Sequence, residues 1–189
     1  PRLSGVEIQR LGMNGILRWH FDEEHNIIHE SSAFDRRFGK RGSHFEADEM
    51  HVGWTSGVLP AYALLWHGRE TKDGKSVNSA QAILDRITGD LAPCGSLWPV
   101  HTVDGVAPGF GPKDNLAHSR TVAEAILYLI RAFRLELESA TLHPTWFWAI
   151  QNNLSFALTL QNEDGAFPAY WDIETGEPFQ YEGCVGIAW

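Results

Sequence analysis

Cysteine, positive charge and long apolar runs are all scarce in this chain, and each shortage excludes something. Two cysteines occur in 189 residues. Cys94 and Cys184 stand too far apart in sequence to outline a disulfide framework, and they fix no redox compartment. Neither belongs to a Cys-x-x-Cys motif, and no zinc or other metal site is expected. A Gly-rich phosphate loop is also missing, so no nucleotide cofactor is expected, nor any other. Lys and Arg number 15 against 24 Asp and Glu, a net charge of −9. That balance excludes nucleic acid as the main partner, because phosphate binding needs clustered cations. The densest basic stretch, Arg36, Arg37, Lys40 and Arg41, runs into Glu46, Asp48 and Glu49 and reads as a solvated loop. No apolar run nears the roughly 20 residues of a membrane helix, so no membrane partner is expected.

Aromatic residues are abundant. The chain holds eight Trp, and three of them stand among turn residues. Trp54 lies between Gly53 and Gly57, Trp98 between Leu97 and Pro99, and Trp171 before Asp172. A ring held in a loop is a candidate ligand platform as well as a packing element. Trp66, Trp146 and Trp148 fall in helical stretches and are expected in the core.

The first fifty residues differ from the rest. Gly15 to Asp22 and Asn26 to Glu30 are rich in Ile, Leu, Phe and His, with Asp22–Asn26 as the turn between them, which predicts a short β-hairpin. Phe34 to Met50 is polar, punctuated by Gly, and reads as a loop. From Gly57 the pattern turns helical. Val58 to Arg69 carries Pro60 in its first turn, where proline is tolerated. Ser76 to Thr88 repeats Val77, Ala80, Ile83, Leu84 and Ile87 at helical spacing, one buried stripe, and Gly89 stops it. Residues 90–117 contain four prolines and read as a long loop, a feature that is usually functional in compact domains. Ser119 to Ser139 is apolar on most sides. A fourth helix is expected from Pro144 to Gln161, broken by Asn162-Glu163-Asp164-Gly165, and Gly183 to Trp189 reads as the start of a fifth. Short turns join antiparallel partners and long loops separate the pairs, the organisation of stacked αα-hairpins. The chain divides into an N-terminal segment, 1–52, and a helical-hairpin domain, 53–189.

The stretch from Leu158 to Gly176, LTLQNEDGAFPAYWDIETG, carries a specific pattern. A helix ending in Leu-x-Leu-Gln is followed by Asp-Gly-x-Phe-Pro, an aromatic residue and Asp-x-x-Thr-Gly. This resembles the hairpin connection of the α/α-toroid superfamily, which includes six-hairpin glycosidases. Gly89 to Pro99 looks like a similar connection one hairpin earlier. The resemblance implies an all-α toroid, apparently partial and preceded by a short β-hairpin. A full toroid of this kind needs about a dozen helices, so a second chain or a segment outside this sequence would complete the barrel.

The resemblance further implies a carbohydrate substrate and a site at one end of the barrel, where inner helices begin. Glycoside hydrolysis uses two carboxyl groups across the sugar. By this logic Asp48, Glu49, His51 and Trp54 precede the first helix, His118 and Arg120 the third, and Glu182 the fifth. The expected catalytic set is Asp48, Glu49, Glu182 and His118. The expected substrate-binding set is Trp54, His51, Trp98, Arg120 and Trp171. Simpler roles compete: Asp114, Asn115 or Ser119 would cap the third helix, and Asp164 would form a turn. Glu124 lies on an otherwise apolar helix face, where an acid needs a partner or a cavity, and Arg120 one turn earlier could pair with it. Two alternatives to a hydrolase stay open: a polysaccharide lyase working through His and Arg, and a non-catalytic helical scaffold that binds glycan or protein.

Overall fold

A computed structural model describes residues 2–29, 34–35, 40–41, 49–54, 56–109 and 111–181, with backbone alone at 34–35 and 40–41. Asp48, Glu182 and the expected fifth helix at Gly183–Trp189 lie outside the described residues.

The chain opens with a helix, α1 (Gly5–Gly15), that runs into a π-helical turn, Ile16–His20. The strand expected to begin at Gly15 is therefore confined to β1 (Phe21–Asp22), which pairs with β2 (Ile27–Ile28). The cause is a start signal at Ser4: its hydroxyl accepts from the Glu7 amide, while the Glu7 carboxylate takes the Ser4 backbone N–H at 2.8 Å. Such a capping box satisfies two orphan donors at once. The turn at Asp22–Asn26 does form, with the Asp22 carboxylate accepting the Glu24 and His25 amides and Asn26 at φ 53°. The chain carries one His-x-x-x-His spacing, His25 to His29. Both imidazoles face Asp22 across this hairpin, at 3.0 and 3.5 Å.

The segment 34–50, read as a loop, contains β3 (Phe34–Asp35) paired with β4 (Lys40–Arg41), and it ends in β5 (Glu49–His51). Two αα-hairpins follow. The first joins α2 (Val58–Thr71) to α3 (Gly74–Gly89) through Lys72, left-handed at φ 59°, and Asp73, whose carboxylate caps α3. The second joins α4 (Ser119–Glu138) to α5 (Pro144–Leu160). The α2 helix packs on both α3 and α4, and α5 packs on both α3 and α4, so the hairpins lie side by side. Leu64, Leu65, Ile83, Leu84, Leu129 and Trp146 are fully buried between them. Phe21, Ile27, Ile28, Met50 and Val52 join the same core from the N-terminal segment.

The connection at 90–117 is more ordered than a loop. It forms β6 (Val100–Thr102) and β7 (Gly105–Ala107), and β6 also pairs with β5, placing Met50 opposite His101 and His101 opposite Val106. Arg86 of α3 donates to the carbonyls of Thr102 and Gly105 and ties this sheet to the helices. A second sheet has β8 (Leu116–His118), β9 (Tyr170–Asp172) and β10 (Pro178–Phe179), with β9 in the centre. These strands are two or three residues long, too short for an alternating pattern to announce them.

Two of the three helical Trp residues differ from expectation. Trp146 is fully buried, whereas Trp66 is 43% and Trp148 58% exposed. Trp66 lies on a groove between α2 and α4 that also holds Tyr62, Arg131 and Arg134. Trp148 shares the outer side of α5 with Phe147, Leu154 and Leu158. Among the described residues no helix is long and apolar enough to cross a membrane.

Candidate functional site

Both three-stranded sheets end where α2 and α4 begin. The β5 strand runs into the turn Val52–Gly57, and Gly57 is the N-cap of α2 at φ 72°. The turn is tight: the Val58 amide bonds the Val52 carbonyl at 2.8 Å, and the Ser56 hydroxyl accepts the His51 amide at 3.0 Å. A Cβ on Gly57 would collide with the His51 carbonyl, and one on Gly53 with the Thr121 carbonyl. Glycine at 53 therefore lets the turn rest against the first turn of α4, and no side chain fits there. Trp54 follows, left-handed at φ 66° and 46% exposed.

The β8 strand delivers the other half. His118 is the N-cap residue of α4 but makes no side-chain cap, and the Ser119 amide bonds the Ala169 carbonyl instead. The N-cap position falls on His118, where Asp114, Asn115 or Ser119 was expected. The His118 Nδ1 and the Thr121 hydroxyl lie 3.0 Å apart, and the ring leans on Tyr170 of β9 at 5.3 Å between centroids. Burial first, and then the Arg120 charge, hold the His118 imidazole below its ordinary value. That shift favours the neutral ring, which has one donor and one acceptor nitrogen, and Nδ1 is already engaged by Thr121.

These pieces enclose a pocket of about 250 Å³ lined by Trp54, His118, Arg120, Thr121, Glu124 and Tyr170. It is open on one side and combines two aromatic rings, an imidazole, a guanidinium and a carboxyl. Small-molecule sites have this makeup: mostly apolar walls with a few convergent polar groups. The Glu124 carboxylate accepts the Trp54 backbone N–H at 3.3 Å, a link across 70 positions of sequence. Its partner is thus the Trp54 turn, where an i,i+4 ion pair with Arg120 was the simple expectation.

The expected site residues divide. Trp54, His118 and Arg120 meet on the pocket wall. His51 sits beneath it, 2% exposed, with its ring edge-on to Trp54 at 5.9 Å, so it supports the platform from below. Glu49 stands two residues earlier in β5, its carboxylate 3.9 Å from His51 Nε2. Trp98 is half-buried and packs against the hydrophobic core. Trp171 needs correction as a substrate platform: in the central strand β9 it is fully buried and edge-on to Phe156 at 5.6 Å. Its place beside a turn signals an exposed ring, but the strand turns that ring inward. Asp172 and Asn162 form turns, each accepting two backbone amides of its own loop, and Asp164 donates its amide to Asn162. Glu124, Thr121 and Tyr170 complete the wall without having been in the expected set. Only Glu124 carried a signal, as an acid on an apolar face.

No family model matches the sequence, and no curated protein matches it. Among solved structures, the chain resembles a UGL variant carrying one Asp-to-Asn change, with dGlcA-Glc-Rha-Glc, at a TM-score of 0.67 and 16% identity. It resembles equally the unsaturated glucuronyl hydrolase of Bacillus sp. GL1, described as responsible for the degradation of glycosaminoglycan, again at 0.67 and 16%. Each alignment covers 87% of this chain and 42% of the other. The chain therefore has the hairpin architecture of an α/α-toroid, and it spans 42% of the length of the toroids it matches.

Proposed function

We propose that the chain is part of a glycoside hydrolase acting on a poly- or oligosaccharide, with the sugar bound in the pocket at the N-terminal ends of α2 and α4. One observation carries this reading: an exposed indole, a phenol, an imidazole, a guanidinium and a carboxyl share one pocket wall. A pyranose has an apolar C–H face that suits an aromatic ring, and hydroxyls that suit imidazole and carboxyl groups. Arg120 adds a fork that fits a sugar carboxylate. The names of the structural neighbours, a glucuronyl hydrolase and a variant with dGlcA-Glc-Rha-Glc, favour uronate-bearing oligosaccharides as the first substrates to try.

In hydrolysis one carboxyl group protonates the leaving oxygen while a second activates water or attacks the sugar. Asp48 precedes β5 in sequence, Glu49 is the first residue of that strand, and Glu182 follows in sequence the sheet that holds Tyr170. The pair is drawn from these three, with His118 as a neutral hydrogen-bonding partner. The adjacency of His118 and Arg120 also favours a second reading, a lyase. There Arg120 neutralises a uronate and His118 removes the adjacent proton.

Mass spectrometry of products from a glycan panel, run in ¹⁸O-labelled water, separates the two. Fragments that take up one labelled oxygen support hydrolysis. Asp48→Asn, Glu49→Gln or Glu182→Gln should then lower kcat by about a hundredfold or more at the reacting positions. Unsaturated fragments without the label, lost on His118→Ala, sink the hydrolase in favour of the lyase. Binding without any product leaves a glycan-binding scaffold.

A further inference from the structure

The row of rings that begins on the pocket wall does not stop at Tyr170. His118 of β8 stands opposite Tyr170 of β9, and Tyr170 opposite Phe179 of β10, so the three side chains share one face of the sheet. Their rings follow one another at 5.3 and 6.4 Å between centroids. The row leaves the pocket over the edge strand β10, beyond the residues that line the cavity.

Lys113 stands at the far end of this row. Its ammonium lies 4.2 Å from the centroid of the Phe179 ring, within the range of a cation–π contact. An exposed lysine ordinarily moves freely in water or meets a carboxylate. On a chain with 24 acidic and 15 basic residues such partners are plentiful, yet no carboxylate among the described residues pairs with Lys113. The loop that carries it is also fixed. Gly111 rests on the Leu116 side chain, where a Cβ would collide, and the Asn115 carbonyl accepts the Ile173 amide at 2.8 Å. A ring face satisfies one side of an ammonium and leaves its other N–H donors to an anion.

We infer that Lys113, held by Phe179, forms a second binding place outside the pocket for a negatively charged group, a carboxylate or a sulfate ester, on the sugar unit next to the one in the pocket. This inference rests on the reading of the pocket as a sugar site. Arg120 lies on the pocket wall and meets the unit bound there, whereas Lys113 reads its neighbour. A chain charged at successive units is thereby favoured over a neutral chain of the same length.

The test titrates the full chain with four probes and reads the dissociation constants by NMR. The probes are methyl glucuronide, cellotetraose, tetraglucuronate with a carboxylate on every unit, and cellotetraose 6-O-sulfate. Lys113→Gln should weaken an acidic tetrasaccharide about threefold to fivefold, the worth of one exposed charge contact. It should leave methyl glucuronide and cellotetraose unchanged, and the acidic probe that loses affinity identifies the group. Lys113→Arg should keep most of the affinity, and the effect of Lys113→Gln should shrink in high salt. Phe179→Leu should cost about as much as Lys113→Gln, and the double variant no more than either, because ring and ammonium act as one unit. A Lys113→Gln variant that binds both acidic tetrasaccharides as before overturns the inference and leaves the sugar pocket standing. So does one that weakens methyl glucuronide as much as the tetrasaccharides. If the unmodified protein binds none of the four probes, the reading of the pocket as a uronate-binding sugar site falls, and this inference with it.

Discussion

The two ends of the α2–α4 pair treat their polar groups in opposite ways. At the C-terminal end, Glu136 is fully buried, yet its carboxylate is saturated. Arg69 donates from Nε at 2.7 Å and from a terminal nitrogen at 2.8 Å, Gln81 at 2.7 Å, and the His143 Nε2 lies at 2.9 Å. Burial alone would push Glu136 up, but the bonds from His143, Arg69 and Gln81 outweigh it and hold the carboxyl below its ordinary value. His143 in turn stacks on Trp146 at 3.8 Å, and the Trp146 indole donates to Asp85 at 2.7 Å. At the N-terminal end the polar groups are spent sparingly. Glu124 takes one long bond from a strained turn, and His118, Arg120 and Tyr170 face a cavity. A buried network whose groups are paired does structural work, whereas groups left facing a pocket are available to a ligand.

That contrast can be broken at either end. The largest effect is expected from Glu136→Ala, which strands Arg69, Gln81 and His143 around an empty site. Removing one partner of a buried ion pair costs about 3 kcal/mol or more, so the denaturation midpoint should fall sharply while glycan binding at low temperature persists. Loss of binding in a still-folded variant would show the ends to be coupled.

The next effect is acid sensitivity. His101, buried in β6, has its imidazole pushed down to about 3, by burial first and by the Arg86 charge second. Above its ordinary value of 6.5 the ring is neutral in both folded and unfolded chains. As the pH falls from there toward 3, the unfolded chain binds a proton that the folded one refuses, so stability drops. The loss at pH 5 should be on the order of 2 kcal/mol. Glu136 titrates lower in the same scan: its contribution, present above the ordinary carboxylate value, disappears only below it. Denaturant melts between pH 7 and 5 should show the slope, and His101→Phe should flatten it.

Gly57→Ala should cost about 1–2 kcal/mol, because it forces a side chain into φ 72° against the His51 carbonyl. Unlike Glu136→Ala, it should also weaken glycan binding, since the same turn carries Trp54. The smallest effect sharpens the site end alone. If turnover needs neutral His118, its acidic limb lies below 6.5, and Arg120→Leu should move that limb upward by removing the second cause of the shift. A wild-type limb above 6.5 would remove His118 from the reaction.

Much of the helical frame was legible in the sequence. Val77, Ala80, Ile83, Leu84 and Ile87 set the buried face of α3 by period alone, and Gly57, Gly89 and Pro144 marked ends of helices to within two residues. Local chemistry suffices for such elements. The hairpin about Asp22–Asn26 was legible too, but the strands that frame the pocket were not, for the opposite reason. Glu49–His51 pairs with Val100–Thr102, and Leu116–His118 with Tyr170–Asp172, across about fifty positions and in runs too short for an alternating pattern. The site followed the same division. His118, Arg120 and Trp54 could be brought together because each stands just before, or in the first turn of, a helix. The Glu124 bond to Trp54, and the inward turn of Trp171, depend on those distant pairings. The helix α1 was missed although Ser4-x-x-Glu7 announces it, because none of its residues is buried and the Ile- and Phe-rich run after it suggested strand.

The distant strand pairs also set an order of events. Each αα-hairpin closes through neighbours in sequence, so it can form early and independently, whereas long loops must close before β5 meets β6 or β8 meets β9. The pocket is built from those late closures. The part of the molecule that meets a ligand is thus expected to be the last to assemble and the first to open, and a bound sugar would act as a clamp on the slowest step of folding.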